Sequence, residues 1–487
     1  MNTNQPAPVT LRTLPRVLLA VAAFVFLAPN IDFAADLQWH DGQRLAQLVL
    51  LAAVVLSLAW PGAGRSLADT WVLLPHWCRI SLMAAFVLGF VSSLMAPLPR
   101  WALLEWGQWW LLLMMVLCIA AQRRRFGECL DQQLVLLMLA TATAYAISVG
   151  GVYAAMLLIG PVYGQSFEIR ELYVNFSNLR FFGPIQTMLL PFLLLPAMWW
   201  GTTLARRILL WSVPAVWWML VIASGTRGTW IALLIGIAAV AIYGRLVGRQ
   251  WIKWQIGGLL CGLLCYAFFI LLVPWLLAQP GSFIHRPGDI VSLSLREVLW
   301  TTAIAFAAQN PFLGVGPMHY AYFATEVASH PHNAVLQWLA EWGVPAAVLL
   351  TAVCAAAGLV FAAHVRRTVN QAGERNAMLR IALLAALAGA AAQAMADGVL
   401  VMPVSQTLLA LLCGWALGLY FTAPAVRCGN VQHAILITVT VIAASAVACG
   451  VAPEITRIAE REKTYLAAHP VSAVLFPRFW TQGWINE

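Results

Sequence analysis

The chain has 487 residues, of which 62% are hydrophobic and 10% are charged, and it contains 23 tryptophans. This composition is far too apolar for a water-soluble globular protein and predicts a polytopic membrane protein. A formal net charge of +9 would suit a nucleic-acid-binding protein, but the basic residues are spread between apolar segments, so we expect no nucleic acid partner.

Apolar segments long enough to cross the hydrocarbon core as helices recur along almost the whole chain. They predict an all-α fold, a membrane helix bundle of about 12 to 13 spans that forms one integral domain over residues 1–487. The predicted spans are 17–30, 44–60, 79–97, 101–121, 133–159, 183–201, 208–223, 228–246, 254–278, 334–362, 378–397, 403–422 and 433–452.

The distribution of basic residues predicts the orientation of these spans. With the N-terminus and its Arg12 and Arg16 in the cytoplasm, alternate connections return nearly all basic clusters to that side, and the other loops face the periplasm. The C-terminal tail, 453–487, breaks the pattern because it is also basic. Either it is a periplasmic segment after a thirteenth helix, or one span is miscounted.

Three outer loops contain arginines that the charge rule would place on the inner side. These are Arg180 in the loop 160–182, Arg227 in the turn 224–229 and Arg296 in the long loop 279–333. Within the long loop, residues 292–309 carry apolar positions at helical spacing. They predict a helix that lies on the membrane surface or packs over the bundle.

Arginines at the outer boundary favour an anionic ligand. A guanidinium is charged at any physiological pH, and its planar fork matches phosphate oxygens. Glycines flank Arg227, and the start of the following helix directs free N–H groups towards an anion. These features predict a bound phosphate or diphosphate. The alternative is that the arginines reach lipid headgroups or pair with Glu171 and Glu297.

The stretch SHPHNAVLQWLAEWG, residues 329–343, supplies a candidate base. Asn333 is a good helix N-cap, and Gln337 and Glu341 follow it on one helix face. The positive end of the helix dipole disfavours imidazolium, which would keep His332 neutral and able to deprotonate a sugar hydroxyl. We predict that His332 is catalytic and that His330, Asn333 and Gln337 contact the substrate.

Other assignments for these polar groups stay open. His332 could cap the helix or pack the loop, and His319, His330 and His332 could form a zinc site. The loop has no cysteine and no HExxH pattern, so we predict neither a metal site nor a cofactor. Glu105 and Asp397 could belong to a proton path or to hydrogen bonding within the bundle.

The order SGTRG, REVLW, NPFLGVGPMHY and HPHNAVLQWLAEWG resembles the O-antigen ligase and polymerase superfamily, bacterial inner-membrane glycosyltransferases that use undecaprenyl-diphosphate-linked glycans. The specific motifs lie within residues 180–343. The resemblance implies a metal-independent, inverting, GT-C-like enzyme. It also implies that His332 is essential and that Arg180, Arg227 and Arg296 bind the diphosphate. Some ligases have serine two residues after the histidine, where this chain has Ala334.

This resemblance implies an O-antigen ligase of the inner membrane, which moves polysaccharide from undecaprenyl diphosphate to lipid A-core on the periplasmic face, in contact with membrane lipid. Alternatives within the superfamily are a repeat-unit polymerase for O-antigen or exopolysaccharide and a protein O-oligosaccharyltransferase. From other classes, a lipid-linked sugar transporter or a non-catalytic scaffold would also span the membrane. A transporter needs inward-facing polar groups on several helices, whereas here they cluster at one membrane face.

Overall fold

The computed structural model describes residues 16–33, 36–59, 62–176, 178–279, 295–323, 327–421, 426–468 and 475–485. The predictions for Arg12 and for residues 280–294 of the long loop lie outside this part. Its helices are Arg16–Leu27 (α1), Trp39–Leu58 (α2), Ala63–Val72 (α3), His76–Met95 (α4), Pro99–Phe126 (α5), Glu128–Leu158 (α6), Leu179–Leu193 (α7), Leu195–Trp200 (α8), Leu204–Ser224 (α9), Arg227–Tyr243 (α10), Arg245–Cys265 (α11), Val273–Leu276 (α12), Arg296–Gln309 (α13), Tyr320–Phe323 (α14), Ala334–Thr368 (α15), Glu374–Gln393 (α16), Pro403–Tyr420 (α17), Asn430–Val451 (α18) and Ile458–Ala468 (α19). A π-helical turn, Tyr266–Leu272, joins α11 to α12.

The prediction of an all-α polytopic membrane bundle is confirmed. In the described residues, 11 helices are long and apolar enough to cross a membrane. The shorter apolar helices Val17–Leu27 and Arg227–Tyr243 account for the other two predicted spans. Each predicted span therefore corresponds to a helix or to consecutive helices, such as α7 with α8.

The basic connections meet at one end of the bundle, which we call the basic end. There Arg123 pairs with Asp131 at 2.6 Å. Asn376, at the start of α16, donates to Glu128 at the start of α6. Arg380 donates to the carbonyl of Thr368, where α15 ends. The other end, where α15 begins at Ala334, is called the histidine end.

Three helices that reach the histidine end are joined by a buried polar contact. Gly183 of α7 lies so close to Thr229 of α10 that a side-chain carbon at residue 183 would collide with the threonine hydroxyl. Gln393, the last residue of α16, accepts from Thr187 at 2.6 Å and donates to Thr229 at 3.4 Å. This network fixes the starts of α7 and α10 beside the end of α16.

The predicted span 334–362 is correct in position, but its helix is broken. Gly343 has φ 81° and ψ 166°, a conformation essentially restricted to glycine, and Pro345 follows. The loop Pro311–Gly316 fills the break, because Val315 N–H donates to Ala340 O at 2.8 Å and Gly316 N–H to Glu341 O at 3.0 Å. Residues 334–342 therefore form a separate half-helix whose freed carbonyls are paired.

Helix α13 packs over the start of α15, which was one of the two positions predicted for it. Leu299 and Ala303 lie in a buried apolar cluster with Tyr320 and Ala340. Trp300 donates to the carbonyl of Pro331 at 3.1 Å, directly beside the histidines. This helix and the half-helix of α15 together position the histidine stretch.

Candidate active site

His332 lies at the histidine end in an unusual backbone conformation. Its φ is 52°, in the left-handed region that few side chains other than glycine and asparagine adopt readily. The side chain is half-buried, and its Nδ1 atom is buried without a hydrogen-bond partner in the described part of the chain. A substrate hydroxyl therefore cannot reach Nδ1 unless the residues around it move.

His330 packs directly on His332. The two ring centroids are 4.1 Å apart with an interplanar angle of 60°. His330 is only 3% exposed, and neither of its ring nitrogens has a partner among the described residues. Gly398 makes room for the ring, because a side-chain carbon at this position would lie 3.0 Å from His330 Nε2. The structure thus brings together the two histidines that the sequence predicted to belong to one site.

The charges around His332 come from two of the predicted arginines. Burial, assisted by the positive charges of Arg296 and Arg180, lowers the pKa of His332 to about 3. Arg296 is held at the first turn of α13, where its Nε donates to Ala396 O at 3.0 Å. Arg180 lies in the first turn of α7, which Asn178 caps. His332 is therefore neutral at neutral pH, as a base must be.

Asp397 lies within the same group of charges. Burial raises the pKa of this carboxyl group to about 6, and Gln393, Arg296 and Arg180 oppose that shift. Gln393 Nε2 donates to Asp397 Oδ2 at 3.3 Å. The same oxygen lies 3.3 Å from where a side-chain carbon at Gly228 would be, next to Arg227 at the start of α10. The carboxyl group of Asp397 therefore lies within the influence of Arg296 and Arg180 and close to the start of α10.

Asn333 and Gln337 have structural contacts in addition to their predicted binding role. Asn333 caps α15, as predicted, by accepting from Leu336 N–H at 3.0 Å, and its amide donates to Met395 O at 3.0 Å. Gln337 is 3% exposed. In the orientation that satisfies its amide, its oxygen accepts from Arg478 at 2.9 and 3.0 Å. Substrate contact by these two residues stays a prediction.

Residues 212–351 match the family model described as O-antigen ligase. This segment of the chain is therefore similar to the O-antigen ligase family. No curated protein sequence matches the chain. The matched O-antigen ligase domain begins within α9 and ends within α15, so it contains Arg227, Arg296, His330 and His332. It indicates a membrane glycosyltransferase of the ligase or polymerase type.

Arg180 and Asp397 lie outside the matched O-antigen ligase domain, yet they contribute to the same site. Arg180 links them, since its positive charge lowers the pKa of His332 and also opposes the rise in the pKa of Asp397. The site therefore includes α7 and the connection 394–402 between α16 and α17. Only the folded bundle brings these segments to the ligase domain.

His319, another histidine of the O-antigen ligase domain, has a structural position. Its Nδ1 lies 2.8 Å from Pro317 O, and its Nε2 accepts from Leu98 N–H at 3.0 Å. The Nε2 bond fastens the loop to the connection between α4 and α5, and the Nδ1 contact lies within the loop itself. A zinc site with His330 and His332 that used His319 Nε2 would require the bond to Leu98 to break.

Sequence reasoning missed residues 475–485, which also lie outside the O-antigen ligase domain. Arg478 pairs with Glu105 at 2.8 Å and with Glu341 at 2.6 Å, and all three side chains are buried. Residues 475–485 therefore lie at the histidine end. A periplasmic position for the tail stays a prediction. Glu105 serves this ion pair, in agreement with the alternative of hydrogen bonding within the bundle.

The pH dependence of transfer tests the electrostatics of this ligase-type site. In the Arg296→Gln variant, loss of one positive charge raises the pKa of His332 from about 3 towards the ordinary value of 6.5. The protonated ring cannot act as a base, so the acid limb of kcat/KM moves to higher pH. The same profile for Arg366→Gln, at the basic end, should overlay that of the unmodified protein. An unshifted acid limb in Arg296→Gln would show that Arg296 does not influence the base.

Proposed function

We propose that this protein is an O-antigen ligase, which transfers polysaccharide from undecaprenyl diphosphate to a sugar hydroxyl of lipid A-core. The observation that carries the proposal is the neutral His332 beside two arginines, within and next to an O-antigen ligase domain. In this proposal the bundle lies in the bacterial inner membrane, and its histidine end faces the periplasm. Positive-inside charge distribution supports this orientation, because the basic connections meet at the opposite end.

In the proposed reaction, His332 Nε2 accepts the proton of the acceptor hydroxyl. The hydroxyl oxygen attacks the anomeric carbon of the donor sugar from the face opposite the diphosphate, so the new glycosidic bond has inverted configuration. The bond between that carbon and the diphosphate oxygen breaks, and the electron pair leaves with undecaprenyl diphosphate. Arg180, Arg227 and Arg296 stabilise the negative charge that develops on the leaving group.

The proposed reaction requires the pKa of His332 to rise when the donor binds. A base with a pKa near 3 in the free protein is too weak to remove a proton efficiently at neutral pH. A bound diphosphate places negative charge beside the ring and offsets the positive charges of the arginines, which raises the pKa of His332. His332 is thereby a stronger base when the donor is bound. The imidazolium that forms is stabilised by the negative charge of the diphosphate leaving group.

Electrophoresis of lipopolysaccharide from a strain that lacks the gene tests this function. We expect loss of all O-antigen from lipid A-core, with accumulation of lipid-linked polymer. Complementation with the intact gene should restore the ladder, whereas His332→Ala should not. A surviving band with a single repeat would instead identify a polymerase. Unchanged lipopolysaccharide with altered mobility of a glycosylated protein would identify a protein glycosyltransferase.

A further inference from the structure

Residues 475–485, the C-terminal segment, are built into the histidine end. Arg44 of α2, 1% exposed, donates from Nε to Phe479 O at 3.1 Å. Thr481 N–H donates to Asp41 Oδ1 at 2.7 Å. Residues 477–483 are all buried. These contacts span more than 430 positions in sequence, so they form only in the folded bundle.

The C-terminal segment holds the chain on the N-terminal side of His332. Ser329 is fully buried, and its hydroxyl donates to Phe476 O at 2.7 Å and to Pro477 O at 3.2 Å. Gly483 has φ 83°, and a side-chain carbon there would collide with Phe476 O and lie 3.3 Å from Ser329 Cβ. The segment thus folds back tightly on itself against Ser329.

The same segment holds the helix on the C-terminal side of His332. Arg478 contacts Gln337 and Glu341, which are one and two turns into the half-helix that begins at Ala334. It also pairs with Glu105 of α5. The half-helix ends at the break at Gly343, so the rest of α15 does not hold it rigidly. Arg478 supplies a fixed contact in place of that continuity.

The backbone of His332 needs such support. A residue other than glycine in the left-handed region is strained by roughly 1 kcal/mol or more, and it stays there only where its surroundings determine the conformation. We propose that the C-terminal segment is a positioning element of the active site, which holds the peptide on both sides of His332 so that its imidazole meets the acceptor hydroxyl. This inference rests on the proposed transfer reaction and assigns Ser329 and Arg478 as positioning residues.

A graded series at Ser329 tests the inference with purified full-length protein, lipid-linked glycan and acceptor. Ser329→Ala removes the hydroxyl donor, and Ser329→Cys keeps the shape with a weaker donor. We expect kcat to fall about tenfold to a hundredfold in Ser329→Ala, because small misplacements of a catalytic group have effects of this size. Ser329→Cys should be intermediate. KM for the donor should stay unchanged, since the arginines are untouched.

Ser93→Ala is the matched control, because Ser93 is equally buried and, in the described part of the chain, donates to Gly89 O of its own helix. It should keep the kcat of the unmodified protein at a similar thermal midpoint. Arg478→Lys keeps the buried charge but loses the guanidinium fork, so it should fold and show a reduced kcat with unchanged donor KM.

Failure of the two proposals can be told apart. If the unmodified protein does not transfer lipid-linked glycan, the proposed function is wrong. If it does, and folded Ser329→Ala and Arg478→Lys both keep its kcat, the positioning role of the C-terminal segment is wrong. The role would also be wrong if kcat and the thermal midpoint fell together in Ser329→Ala and fell to the same extent in Ser93→Ala.

Discussion

Replacing His332 by alanine is expected to lower the rate of glycan transfer by about 10²–10⁴-fold, the usual contribution of general base catalysis. The variant should fold, because the side chain is half-buried and its Nδ1 atom has no hydrogen-bond partner in the described part of the chain. The rate is measured with purified protein, lipid-linked glycan and acceptor. Binding of the donor should persist, since Arg180, Arg227 and Arg296 remain.

His364→Ala is the control for this experiment. His364 lies near the basic end of α15, the helix that follows His332, and its Nε2 is buried without a partner among the described residues. This variant removes another partly buried imidazole at the far end of the bundle, away from the site, so transfer should continue at the unmodified rate. His330→Ala should reduce the rate less than His332→Ala does. Unchanged turnover by folded His332→Ala would refute the assignment of the base.

The direction of the pKa shift at His332 followed from the sequence, but its cause did not. The position before Asn333 indicated a neutral imidazole through the helix dipole. In the structure, burial is the larger effect, followed by Arg296 and Arg180. Burial depends on how α13 and the half-helix pack, and local sequence does not specify that packing. The arginines were recognised individually, but their approach to one histidine requires three helices to meet.

The membrane helices were predictable because the hydrocarbon core imposes both a length and an apolar composition on each span. The C-terminal segment was not, since Arg478 lies 137 residues from Glu341 and follows no local pattern. One signal was present in the sequence. Glu105 and Glu341 each lie within an apolar span, and a buried carboxylate requires a partner. An arginine in the apolar stretch LFPRFW is such a partner.

The break at Gly343 had a stronger signal, because glycine and proline two residues apart interrupt an apolar helical run. Only the structure shows what the break accomplishes. It leaves the carbonyls of Ala340 and Glu341 without partners in the helix. The N–H groups of Val315 and Gly316 donate hydrogen bonds to these carbonyls instead. The motifs PFLGVG and EWG therefore depend on each other, and the half-helix that follows His332 is placed by this pairing.

Gly343→Ala is accordingly expected to abolish transfer and to lower the thermal midpoint of the protein. The φ of 81° with ψ 166° is a conformation for glycine alone, and the new carbon would collide with Phe312 O and lie 2.7 Å from Leu313 N. The strain of such a residue is about 1–3 kcal/mol before any collision is counted. Relief requires the loop to move away from the half-helix, which displaces the start of α15 and His332 with it.

Gly358→Ala gives the matched comparison within the same helix. A side-chain carbon at Gly358 would have no neighbour within 4 Å, and the backbone there is helical. Alanine in a helix is more favourable than glycine by about 1 kcal/mol, so this variant should be as stable as the unmodified protein or slightly more stable, with full activity. Thermal unfolding and transfer assays of Gly343→Ala and Gly358→Ala compare a glycine that the break requires with a glycine that the helix does not require. If Gly343→Ala matched Gly358→Ala in both assays, the break would not be what positions His332, and the loop and the half-helix would have to be independent.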